Sequence, residues 1–138
     1  MKTWPVLILV AIMAVIIMAA PAVAAEKADQ RVVVPKYDPS TEVTIKGTVQ
    51  EVRDRECPVS GGMGAHLVLD LGNNKTIEVH LATTKFVKSY DLVFSKGDQV
   101  EVTGAKVVFE GVETIFAREV KRGNDTFVFR DKDGKPVW

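Results

Sequence analysis

Two alternating runs, each broken by an internal glycine, constrain this chain more than any other feature. Glu42–Val52 reads EVTIKGTVQEV and Gln99–Phe109 reads QVEVTGAKVVF. Side chains alternate across a strand, so a period of two with β-branched residues predicts strands at both places. Val43, Ile45 and Val49 form the apolar set of the first run, against Thr44, Lys46 and Thr48. Gly47 and Gly104 fall inside the runs, where a missing side chain lets a strand bend and the sheet curl.

The rest of the chain supplies shorter elements. His66–Leu71 (HLVLDL) and Thr76–Leu81 (TIEVHL) flank Gly72-Asn73-Asn74-Lys75 and predict a β-hairpin. Leu67, Leu69 and Leu71 share a face, as do Ile77, Val79 and Leu81. Placing both sets on the core puts Leu69 opposite Val79 with a three-residue loop. In residues 83–95 the period of two gives way to Phe86, Val87, Tyr90 and Val93 or Phe94, the spacing of a short amphipathic helix. Glu110-Gly111 turns the chain into a strand at Val112–Val120. Thr126–Arg130, Asp131–Gly134 and Lys135–Trp138 read as a terminal hairpin or extended tail. Arg53–Gly64 (RDRECPVSGGMG) gathers charge, proline and glycine, and reads as a loop. The order predicts a mostly β fold: a five-stranded Greek-key barrel with one short helix between strands three and four.

The first 25 residues follow a different logic. Lys2 is positive, no charge occurs from Trp4 to Ala20, and Pro21 precedes the small residues Ala22-Val23-Ala24-Ala25. A positive start, an apolar centre and a small-residue exit describe a secretory signal peptide. A retained anchor helix is the other reading, at the short edge of a membrane span. Cleavage is the expectation, giving a signal peptide at 1–25, a polar tether at 26–41, the barrel at 42–122 and a C-terminal hairpin or tail at 123–138. The expected location is periplasmic or secreted, with no membrane span once the signal is removed.

Charge and cysteine content narrow the function classes. Lys and Arg number 18 and so do Asp and Glu. Such a balance argues against a nucleic-acid binder, which neutralises phosphates with an excess of basic residues. The single cysteine, Cys57, excludes an internal disulfide framework and a Cys-rich zinc module. No GxSxG, HExxH or phosphate-binding glycine loop is present, and Ser60–Gly64 (SGGMG) precedes a strand rather than a helix. The expectation is a protein that is not an enzyme.

GTVQEV after the first bend, KGDQVEVTGAKV for the fourth strand and the closing strand resemble the small secreted bacterial OB-fold proteins. The resemblance covers about residues 42–120, and its motifs reflect barrel geometry rather than chemistry. It implies an OB-type barrel, and a role in envelope stress tolerance or ligand binding. The RDKDGKPVW ending is similar to the tails of other exported proteins.

The hairpin carries the most informative constellation. Opposite the leucines stand His66, Val68, Asp70, Thr76, Glu78, His80 and Ala82. In the register above, His66 is a diagonal neighbour of His80, and Asp70 lies opposite Glu78, a like-charge pair that invites a cation. Imidazole and carboxylate are ligands for zinc, copper or nickel, and Cys57 and Met63 on the preceding loop could approach the His66 end and favour Cu(I). The candidate metal ligands are therefore His66, His80, Asp70 and Glu78, with Cys57 and Met63 behind them; no other cofactor is implied. The same face also fits the solvated side of a hairpin. Arg53 and Arg55 could favour a thiolate at Cys57, and a plain loop cysteine fits equally. The hairpin face has no aromatic platform for stacking bases.

Two functional readings result. One is an exported, non-catalytic OB-type binding protein holding a metal ion or small polar ligand on the 66–80 hairpin. The other is an interaction module whose loop 53–64, tail 126–138 or Val32–Val34 segment docks on an envelope protein partner.

Overall fold

The computed structural model describes residues 32–138. The signal peptide expected at 1–25 and the first part of the tether lie outside the described residues. A 3-10 turn at Pro39–Thr41 leads into β1 (Glu42–Cys57), β2 (Gly62–Gly72) and β3 (Lys75–Thr83). The short helix α1 (Thr84–Ser89) follows, then β4 (Gln99–Phe109), β5 (Val112–Arg122) and β6 (Asp125–Val128).

Five strands close in a ring. β1 pairs antiparallel with both β2 and β4, β2 with β3, and β4 with β5. A parallel pairing of β3 with β5 then seals the barrel, with Val79 beside Ile115 and His80 beside Phe116. This is the Greek-key connectivity of an OB-type barrel, with the helix between the third and fourth strands as expected. β6 adds a short edge to β5. The interior is apolar: Val49, Leu67, Leu69, Val79, Leu81, Val102, Ile115 and Val120 are fully buried together with Phe129 from the tail.

Glycine permits the tightest bend. A Cβ at Gly104 would collide with the carbonyl oxygen of Phe116 and stand 2.9 Å from Ala117 Cα. The β4–β5 register shifts at that point, leaving Arg118 as the extra residue of a bulge. Its carbonyl accepts hydrogen bonds from the Phe129 and Arg130 amides at 2.8 and 3.2 Å. The bulge therefore anchors the C-terminal segment against the barrel.

The structure corrects three expectations. Residues 53–57 are strand, not loop: Arg53 pairs with His66 and the ladder runs on to Cys57 opposite Gly62. Arg53, Asp54 and Glu56 are exposed and Arg55 half-buried, while the backbone is satisfied by pairing, so composition alone suggested a loop. The hairpin turn has two residues rather than three. Asn73 and Asn74 both adopt positive φ (53° and 60°), the type I′ geometry that matches strand twist, and Leu69 pairs with Ile77 instead of Val79. The helix is shorter than 83–95. Thr83 caps it by accepting from the Phe86 amide at 3.1 Å, but Asp91 turns to φ 50° and ends the helical path. Leu92 and Phe94 still pack on the core, whereas Tyr90 and Val93 face solvent.

Candidate metal centre

The corrected register brings the two histidines directly opposite one another. His66 on β2 pairs with His80 on β3, and their rings meet edge to face at 4.9 Å between centroids. As expected from alternation, they lie on the face opposite the leucines. That face is not open to water, and both histidines have zero exposure. Phe116 from β5 and Trp138 from the tail pack on the His80 ring at 5.8 and 5.7 Å. A second apolar cluster of Cys57, Phe109 and Phe116 lies on the same side, with Tyr37 and Val59 against it.

Cys57 completes the group. It ends β1, is 2% exposed, and offers its thiol within the same 4.8 Å span as a nitrogen of each histidine. The three donors come from three adjacent strands, and none is a loop residue. Gly64 makes the room between them. The point where its Cβ would stand is 2.7 Å from Ser60 Oγ, 3.1 Å from His66 Nε2 and 3.1 Å from Cys57 Cβ. Ser60 Oγ in turn lies 2.8 Å from His80 Nε2. Neither ring nitrogen of His66 has a hydrogen-bond partner, and neither does His80 Nδ1. Buried polar atoms without partners are rare in folded proteins and call for an explanation.

Glu78 orients the group without joining it. Its Oε1 is 2.9 Å from His66 Nδ1, out of line for a hydrogen bond, and accepts from Arg55 Nη2 at 3.0 Å. Arg55 also reaches Glu110 at 3.3 Å. With the carboxylate beside Nδ1, Nε2 is the His66 nitrogen that borders the space at Gly64. Burial pushes the His66 pKa down to about 4, reinforced by the positive charge of Arg55 and opposed by Glu78. For His80 burial again comes first, then the charges of His66, Arg130 and Arg55, and its pKa falls to about 3. Both imidazoles are therefore neutral at pH 7, the form that ligates metals.

Of the six candidate ligands, the structure gathers Cys57, His66 and His80 and places Glu78 beside them. Asp70 stands apart: it is exposed, pairs with Thr76 rather than Glu78, and accepts from the Gly72 amide at 2.8 Å. Met63 points outward and is 46% exposed. Arg53 pairs with Glu51 at 2.7 Å, away from the thiol. Ser60 and Gly64 were not singled out from the sequence, where they read as an ordinary glycine-rich connection.

Taken together, the strand order and the buried cluster define a small OB-type barrel with a Cys-His-His group on its outer wall. By sequence the chain belongs to the MamS/MamX magnetosome protein family, whose profile matches residues 41–127. No curated protein matches it. Among solved structures, a chain in the crystal structure of the S. pombe Stn1–Ten1 complex is similar at TM-score 0.49 and 16% identity. That match covers 61% of this chain and 59% of the other, less than two thirds of its length. Among the described residues, no helix is long and apolar enough to cross a membrane.

Proposed function

We propose that this member of the magnetosome family is an exported, non-catalytic barrel that holds one transition-metal ion on Cys57, His66 and His80. One observation carries the reading: the Cys57 thiol and one nitrogen of each buried histidine lie within 4.8 Å of one another, while both His66 nitrogens and His80 Nδ1 lack a hydrogen-bond partner. A thiolate with two imidazoles suits copper or zinc better than calcium or magnesium, which take oxygen ligands. Bound donors sit at about 2.0–2.3 Å from such ions. The 4.8 Å span would therefore contract by roughly 1 Å, within reach of side-chain rotation. Binding releases the Cys57 proton, because the thiolate is the ligand. A family tied to magnetosomes supports a role in handling metal. The residue pattern of 1–25 supports export.

The test is optical. Cu²⁺ and Co²⁺ added to the protein should each produce a thiolate-to-metal charge-transfer band that saturates near one equivalent and disappears in Cys57→Ser. An unchanged spectrum in Cys57→Ser, or no band with either ion, would contradict the site.

A further inference from the structure

A second buried group supplies none of the three metal donors. Arg130 is 6% exposed, and its guanidinium sits among three aromatic rings, with its Cζ 5.2 Å from the Tyr37 centroid, 5.7 Å from Phe116 and 5.5 Å from Trp138. Nη1 donates to the Gly134 carbonyl at 2.8 Å. Nε has no acceptor, and neither does the buried indole Nε1 of Trp138. Among the described residues no carboxylate pairs with this cation. Asp131 in the nearby turn accepts instead from the Asp133 and Lys135 amides through Oδ1, both at 2.9 Å.

Burying an unpaired cation is costly, and ring faces offset only part of that cost. Burial accordingly weakens the hold of Arg130 on its proton. A cavity of about 370 Å³ opens beside these groups, bordered also by Lys36, Lys135 and Asp133. Both orphaned atoms are donors, so the missing partner must be an acceptor. A carboxylate offers two acceptor oxygens, one for the Arg130 Nε–H and one for the Trp138 indole N–H.

We propose that this cavity binds a carboxylate, held by Arg130 Nε and Trp138 Nε1. The site stands independently of the metal reading, since it uses none of the three metal donors. The carboxylate comes either from a small organic acid or from an acidic side chain of a peptide.

The experiment follows ¹⁵N side-chain resonances of the full chain. Its other tryptophan, Trp4, is assigned by Trp4→Phe. Succinate, a glutamate-rich tripeptide and inorganic phosphate are titrated separately at constant ionic strength. The Trp138 indole and Arg130 Nε–H signals should move together and saturate with succinate, the tripeptide or both, which identifies the source. Arg130→Lys should weaken that binding at least tenfold. Trp138→Phe keeps the ring over the guanidinium but removes the N–H, and should weaken it at least threefold as read at Arg130, whether or not Arg130→Lys folds. No saturating shift with either carboxylate, equal saturation by phosphate, or full affinity in Trp138→Phe would overturn the proposal.

Discussion

His66 and His80 face each other across β2 and β3, both fully buried, with ring centroids 4.9 Å apart. Two uncharged imidazoles in that position link stability to pH. Their folded pKa values lie near 4 and 3, below the 6.5 of a free histidine. As pH falls below 6.5 the unfolded chain takes up protons that the folded metal-free protein refuses, so stability is complete above that pH and is lost on acidification. The loss approaches about 1.4 kcal/mol per pH unit for each histidine. Denaturant midpoints measured between pH 7 and 5 should decline along that slope. The carboxylates held low by their partners, Glu42 and Asp98, do not protonate in this window. A flat midpoint would show that the histidines are not buried as described.

Glu78 acts through His66. Removing its charge in Glu78→Gln takes away the carboxylate that faces Nδ1, while Arg55 keeps Glu110. Metal affinity, measured by chelator competition, should fall about tenfold or more. The fold should persist, as read by far-ultraviolet circular dichroism.

Gly64→Ala places a methyl group where Ser60 Oγ, His66 Nε2 and Cys57 Cβ converge. Overpacking of this kind costs about 1–3 kcal/mol, so the barrel should survive. Metal affinity should fall at least tenfold, because the added methyl fills the space between the donors. Gly62→Ala is the control: nothing lies within 4 Å of its added carbon. It should leave both affinity and stability nearly unchanged.

Gly104→Ala tests the fold rather than the site. The new methyl would press on the β5 backbone at Phe116 and Ala117, which cannot rotate away. A loss of about 3 kcal/mol is expected. It should appear as a fall in Tm of roughly 10–20 °C for a barrel of this size.

Much of this was legible from residue patterns, and the exceptions have physical causes. Alternation placed His66 and His80 on one face of one hairpin, because a period of two decides which face each side chain takes. It does not distinguish registers that differ by two residues, and here the turn chose: Asn73 and Asn74 both accept positive φ, allowing the two-residue connection. A bulge at Leu71, between the Gly72–Lys75 and Asp70–Thr76 pairs, shifts the ladder by one further residue. The expected pairing of Leu69 with Val79 therefore gave way to Leu69 with Ile77, and the histidines moved from diagonal to opposite. Their burial was not legible at all. It depends on Phe116, delivered by the parallel β3–β5 pairing, and on Trp138, whose segment docks on the Arg118 bulge. Those contacts join residues far apart in sequence, which local patterning does not record. Cys57 was hidden by the charges around it. RDREC looks like a loop in composition, yet pairing with β2 carries the strand through to a buried thiol.

The most direct test of the metal centre is native mass spectrometry of the metal-free protein titrated with Zn²⁺, Cu²⁺, Cu⁺ and Ni²⁺, beside a His66→Ala/His80→Ala variant shown to be folded. A Cys57–His66–His80 site predicts one ion retained stoichiometrically by the native chain and lost by the variant. Equal, weak and non-stoichiometric binding by both proteins would contradict it.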